Sequence, residues 1–243
     1  MGEGTGVPGF PFGDWIAGRW HAGALLRRAR QGASLVIVGL LLTLGSATTH
    51  AHRGLALPEG VAGIVGGPTR SIAGWTDFCR RVPDECAIDP AEPRRIPLTL
   101  AVWRTLRSVN ARVNARIKPM TDLAHWGLAD RWDFPDDGFG DCEDYQLLKR
   151  RMLAERGLPR RALLMTVVID DINEGHAVLT VRTDRGDFIL DNKTDEIRPW
   201  KRVPYSFIKR AGQDGTAWVS LEETGRDGPR DSIAGAKVAT AEP

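Results

Sequence analysis

Gly140-Asp141-Cys142-Glu143-Asp144-Tyr145 places one cysteine where a glycine-rich loop becomes a helix. Upstream, Pro135-Asp136-Asp137-Gly138-Phe139-Gly140 reads as turn and loop. Downstream, Tyr145, Leu147, Leu148, Met152 and Leu153 recur at helical spacing until Gly157-Leu158-Pro159 stops the helix. Cys142 therefore falls in or just before the first helical turn. Free backbone N–H groups and the positive end of the helix dipole favour a thiolate there, the form that attacks carbonyl carbon. A small buried cysteine is the other reading of the same position.

Outward from this stretch the pattern is a helix followed by an antiparallel sheet. Residues 162–169 form a β-branched apolar run expected to be a buried strand. Asp170 to Gly175 turns the chain into a second strand, 176–183. Asp184-Arg185-Gly186-Asp187 is a hairpin signal leading to a third, 188–192. Trp200, Tyr205, Phe207, Ile208 and Trp218 predict at least one more strand or covering segment. Before the cysteine, Leu98, Val102, Leu106, Val109, Val113 and Ile117 make an amphipathic packing helix ending at Lys118-Pro119, with Asn110 and Asn114 four apart on one face, read as solvated or, alternatively, as hydrogen-bonding a neighbour. Trp126 and Trp132 read as an aromatic wall or as core.

The 243 residues suffice for one domain with unstructured ends. Residues 1–51 read as an N-terminal extension and signal peptide, 52–71 as a Gly/Pro-rich linker, 72–222 as the folded domain and 223–243 as a disordered tail. A formal net charge of +2, with arginines spread along the chain, argues against a nucleic-acid partner. Arg27-Arg28-Ala29-Arg30, the apolar run 35–45 and the small residues from Ser46 to Ala51 have the order of a secretory signal. The run falls short of the ~20 residues a membrane span needs, so export to the periplasm is expected, with inner-membrane anchoring as the alternative.

Export bears on the cysteines. Cys79 and Cys86 are close enough in sequence for a disulfide in an oxidising compartment; two free thiols or a metal site are the alternatives, the latter lacking neighbouring His or Cys. A disulfide would leave Cys142 as an odd thiol, which points to a nucleophile. His176 opens one strand and Asp191 closes its hairpin partner, so antiparallel pairing brings both to one end of the sheet. With the helix start packed on that end, Cys142, His176 and Asp191 would serve as nucleophile, base and orienter, and the backbone N–H of Cys142 would face the oxyanion.

Val109-Asn110, Ile117-Lys118-Pro119, Thr121-Asp122, Gly138-Phe139-Gly140-Asp141-Cys142-Glu143-Asp144-Tyr145, Lys149-Arg150, Gly175-His176-Ala177-Val178-Leu179 and Leu190-Asp191-Asn192 together carry a resemblance to the bacterial transglutaminase-like cysteine proteinase family. The segment from Phe78-Cys79 to Glu85-Cys86 also resembles it. The resemblance implies an α+β, papain/transglutaminase-like fold with the cysteine helix packed on an antiparallel sheet, and a Cys-His-Asp endopeptidase of the cell envelope. LapG-type members of the family clip a large surface adhesin near a pair of alanines, releasing biofilm cells. They are held inactive by an inner-membrane receptor for cyclic di-GMP, and they bind calcium through acids around the cysteine. Asp141, Glu143 and Asp144 match those acids here, and their carboxylates suit a hard cation; without the family they read as helix-capping residues. Acyl transfer or deamidation on the same triad, and a non-catalytic envelope binding module, are the competing functions.

Overall fold

The computed structural model describes residues 56–215 and 217–222; the expected signal peptide and the tail from 223 lie outside the described residues. In chain order the elements are β1 (Ile64–Thr69), α1 (Ala73–Arg81), α2 (Pro83–Cys86), α3 (Leu100–Arg116), β2 (Lys118–Pro119), α4 (Asp122–Trp126), β3 (Phe139–Gly140) and α5 (Cys142–Ala154). They continue with β4 (Leu163–Ile169), β5 (Gly175–Thr183), β6 (Gly186–Leu190), β7 (Arg198–Pro199), β8 (Ser206–Ala211) and β9 (Trp218–Glu222). Seven strands make one antiparallel sheet in the order β1-β9-β8-β4-β5-β6-β7, while β2 and β3 pair in parallel beside the cysteine loop. The expected α+β arrangement of a cysteine helix against an antiparallel sheet is the one observed.

The sheet has apolar cover on both faces. Ala177, Leu179 and Val181 alternate along β5 with Val178 and Thr180. Leu179, Val181, Phe188 and Leu190 join the core formed with α1, α3 and α5, whereas Val168, Val178 and Ile189 belong to a second cluster with Trp200, Tyr205 and Phe207. Burial on both sides explains why β4 is an almost unbroken apolar run. His176 pairs with Val168 across the ladder and so shares the second cluster's face.

Local chemistry sets the helices. Thr99 Oγ1 accepts the Val102 N–H at 3.2 Å to cap α3, which buries Leu106, Val109 and Val113 and ends before Lys118-Pro119. Asp141 and Asp144 form a reciprocal capping box at the start of α5. After α5, Gly157 takes a φ of 83°, the left-handed conformation that ends the helix.

The Cys79–Cys86 disulfide forms, with Cα atoms 5.5 Å apart, and ties α1 to α2. Closing so short a loop contributes on the order of 2 kcal/mol. It also fixes Glu85, whose carbonyl accepts from Arg150 and whose carboxylate lies 3.8 Å from it; Arg150 Nε donates to Leu163 O at 3.0 Å. The bridge is thereby linked through one buried guanidinium to α5 and β4.

Two expectations change. Part of the stretch read as linker is an edge strand: β1 pairs with β9, and the preceding Gly63 N–H donates to Asp187 Oδ2 at 3.0 Å. An edge strand needs hydrogen bonds on one side only, so Gly66, Gly67 and Pro68 are accommodated at a register shift between Val65 and Pro68. The two tryptophans also part company. Trp132 is core, edge-on to Trp75 and Trp218 at 5.8 and 6.4 Å, while Trp126 is exposed and covered by the Arg131 guanidinium at 4.5 Å.

Candidate active site

His176 lies near the start of β5 and Asp191 just beyond β6, whose register sets Leu179 opposite Leu190. The two side chains meet on one face, with His176 Nε2 2.9 Å from Asp191 Oδ1. Both are buried. The Lys193 N–H also donates to Asp191 Oδ1 at 3.0 Å, and the Tyr205 hydroxyl donates to Oδ2 at 2.7 Å. Burial raises the Asp191 carboxyl, but the hydrogen bond and charge of His176, with the Tyr205 hydroxyl, hold it down to about 2. The ring of His176 packs edge-on against Tyr205 at 5.7 Å. With Nε2 occupied by Asp191, Nδ1 is the nitrogen left for a proton from elsewhere.

Cys142 is the first residue of α5, and its Sγ accepts from the Ala177 N–H at 3.4 Å. The thiol is thus docked on the residue that follows His176. Its own proton points elsewhere, to Glu143 Oε2 at 3.1 Å. The helix dipole favours a thiolate here, but burial and the neighbouring acids oppose it, and these surroundings favour the protonated thiol. Burial, then the charges of Glu143 and Asp141, push the Cys142 thiol well above its ordinary range. A helix start contributes roughly 0.3–1 kcal/mol, too little to outweigh desolvation next to two carboxylates.

Those carboxylates are part of a larger acidic group. Asp122, Asp130 and Glu143, and likewise Asp122, Asp141 and Asp144, bring ligand oxygens within 4.8 Å of one another. Asp122 Oδ1, Asp141 Oδ1 and Glu143 Oε1 are buried without a hydrogen-bond partner among the described residues. Burial leads the rise of every carboxyl in the set: Asp122 to about 6, Asp144 to about 8, Glu143 well above its ordinary value, and Asp141 and Asp130 upward. Clustered oxygens, three of them orphaned, fit a hard dication that would neutralise them. Asp144 differs from its neighbours because its Oδ1 accepts from Asp133 N at 2.8 Å and its Oδ2 from Asp141 N at 3.4 Å. Asp130 is similarly engaged by Trp132 Nε1 and Gly74 N.

All six residues anticipated from the sequence are therefore in this region: Cys142, His176 and Asp191 along the sheet end, and Asp141, Glu143 and Asp144 around the helix start. Asp122 and Asp130 were missed. Neither lies in a motif with metal-ligand spacing; α4 and the turn after it bring them to the site, through contacts such as Asp122 N to Asp141 Oδ2 at 3.2 Å. Tyr205 was anticipated only as a covering aromatic. Of the two readings for Asn110 and Asn114, hydrogen bonding holds over a solvated face: they grip the chain at and beyond Asp191. Asn110 Nδ2 donates to Thr194 O at 3.1 Å, and Asn114 Nδ2 lies within donor range of Asp191 O (3.0 Å), Thr194 O (3.1 Å) and Asp195 Oδ1 (2.8 Å). Helical periodicity marks the two as neighbours four apart, but it does not reveal a loop arriving from another element.

The family described as bacterial transglutaminase-like cysteine proteinase matches the chain over residues 65–226. Among solved structures, calcium-bound LapG of Legionella pneumophila is 26% identical over 55% of this chain and 75% of that chain, with a TM-score of 0.43. A second LapG structure from the same organism is 28% identical over 49% and 67% of the two chains, with a TM-score of 0.42. An EGTA-treated form is 23% identical over 65% and 89%, also at 0.42. No curated protein sequence matches the chain.

Proposed function

Because the chain belongs to the bacterial transglutaminase-like cysteine proteinase family, we propose that it is an endopeptidase in which Cys142 is the nucleophile, His176 the base and Asp191 its orienting partner. The observation that carries this reading is the junction at β5: His176 Nε2 meets Asp191 at 2.9 Å, while Ala177, the next residue, donates its N–H to Cys142 Sγ.

The chemistry starts from a neutral thiol. His176 Nδ1 takes the Sγ proton as Sγ bonds to the substrate carbonyl carbon, and the negative charge moves to the carbonyl oxygen, facing the Cys142 backbone N–H at the helix start. The imidazolium is stabilised by Asp191, itself kept ionised by Tyr205. Imidazolium then protonates the departing amine nitrogen, the C–N bond breaks, and a thioester remains. Water adds to the thioester while His176 accepts its proton; the C–S bond breaks, and the proton returns to sulfur.

Calcium is the expected ion for the acidic group and would be held by carboxylate oxygens drawn from Asp122, Asp130, Asp141, Glu143 and Asp144. When bound, it supplies positive charge that offsets the carboxylates now favouring the protonated thiol. The family resemblance extends the proposal to a periplasmic enzyme, exported by its N-terminal signal. Its substrate would be a large surface adhesin whose cleavage governs biofilm attachment, and its regulator an inner-membrane cyclic di-GMP receptor.

The test is mass spectrometry of an adhesin N-terminal region containing paired alanines, incubated with the purified protein, its Cys142→Ala variant, or protein with excess chelator. Cleavage confined to untreated wild type supports the whole proposal. Intact substrate that becomes conjugated to an added primary amine assigns the chain to acyl transfer instead.

A further inference from the structure

One buried ionisable side chain near the site has no part in that chemistry. Lys149 lies two turns along α5 from Cys142, on the face that also carries Gln146, and is 0% exposed. Its Nζ has no hydrogen-bond partner among the described residues. A lysine amine withdrawn from water costs several kcal/mol unless nearby charge offsets the loss, and a methionine of similar length would fill the space without that penalty. Burial lowers the amine to about 7, with only the carboxylates of Asp191 and Asp195 acting in the other direction. The ring of Tyr145 lies 6.0 Å from Nζ.

The stretch from Asp191 to Asp195 has no regular hydrogen-bond ladder and is held by side chains from two helices. Asn110 and Asn114 donate to it from α3, and Gln146 Nε2 donates to Asn192 Oδ1 at 3.2 Å from α5. Each of these amides leaves its oxygen, Asn110 Oδ1, Asn114 Oδ1 or Gln146 Oε1, without a partner among the described residues. An ammonium has three donors and no acceptor, and amide oxygens are acceptors. The polar groups left over on α3 and α5 are thus complementary in kind: the three amides belong to side chains bonded to the segment that carries Asp191, and Lys149 follows one of them, Gln146, by one turn on the same face of α5.

We propose that Lys149 is a positioning residue for the active site, holding the Asp191–Asp195 segment from α5 through the Asp191 and Asp195 carboxylates so that Asp191 stays aligned on His176. The inference rests on the peptidase reading of Cys142, His176 and Asp191. Asp195 supplies a second handle: it is exposed, and an asparagine there retains an acceptor for Asn114 while losing the charge that acts on Lys149.

The experiment compares the full chain with Lys149→Met and Asp195→Asn. Two readouts are taken: the inactivation rate kinact and the affinity KI for a dialanyl vinyl sulfone, and the low-field proton resonance of His176 Nε2–H in 15N-labelled protein. The proposal expects Lys149→Met to lower kinact by about tenfold or more with KI unchanged, the cost of a misaligned catalytic group, and to shift or broaden the resonance. Asp195→Asn should move both readouts the same way by a smaller factor. Wild-type kinact and resonance in both variants would overturn it, even if Lys149→Met altered the melting temperature. Should Lys149→Met fail to fold, Asp195→Asn decides alone. Labelling of wild type that ignores His176→Ala would sink the peptidase reading, while the resonance comparison would still decide whether Lys149 positions Asp191.

Discussion

Tyr205 donates its hydroxyl to Asp191 Oδ2 at 2.7 Å, filling the carboxylate oxygen that His176 does not use. Both oxygens of a buried acid are thereby satisfied by groups on the same face of the sheet. The arrangement keeps Asp191 ionised and fixes its orientation towards His176.

Tyr205→Phe should therefore impair both stability and rate. A hydrogen bond to a buried charge contributes about 1.5–3 kcal/mol, and its loss leaves Oδ2 unpaired. Urea denaturation is expected to show a drop of that size. Labelling of Cys142 should slow with little change in affinity for the probe.

The depressed Asp191 carboxyl predicts an acid limb in stability. Its folded value of about 2 lies below the ordinary 3.8, so the stabilisation is present above pH 3.8 and disappears as pH falls through 2. The difference corresponds to about 2 kcal/mol. Between pH 4 and 2, unfolding free energy should fall more steeply for wild type than for Asp191→Asn. Parallel pH profiles would show that Asp191 is not held ionised by its neighbours.

Ion removal gives another test. Among the described residues, three orphaned carboxylate oxygens sit within the acidic group beside Cys142. Calcium should raise the melting temperature and accelerate Cys142 labelling, and chelation should reverse both. Glu143→Gln should weaken the response because it neutralises one of those carboxylates. A melting temperature indifferent to calcium and chelator would count against a metal site here.

Gly140 shows how tightly the loop before Cys142 is packed. A Cβ at this position would lie 2.7 Å from Asp144 Oδ2 and 2.8 Å from Asp144 Cβ. Gly140→Ala must displace the residue that completes the capping box, a kind of overpacking that costs about 1–3 kcal/mol. A lowered denaturation midpoint together with slower Cys142 labelling is the expected pair of results. Retention of both wild-type values would show that Asp144 moves aside freely.

These relationships were unequally legible in the sequence. The Gly140–Tyr145 stretch, the β-branched run and the hairpin signal at Asp184–Asp187 carry their structure locally, so helix, strands and the meeting of His176 with Asp191 could be read from periodicity and chain order. Asp122 and Asp130 could not, because their role depends on the path of an irregular segment. Asn110, Asn114 and Lys149 were obscure for a related reason: helical spacing shows which face they share but not which loop covers it. Gly66, Gly67 and Pro68 misled because their composition suits a linker as well as an edge strand, and only the pairing of β1 with β9 separates the two.

The central claim is that His176 activates Cys142. Its most direct test is the rate at which a dialanyl vinyl sulfone alkylates Cys142, followed by intact-protein mass spectrometry in wild type and in His176→Ala. Loss of the general base should slow alkylation by roughly 10²–10⁴-fold. Equal rates in the two proteins would contradict the claim, leaving Cys142 an ordinary thiol at the start of a helix.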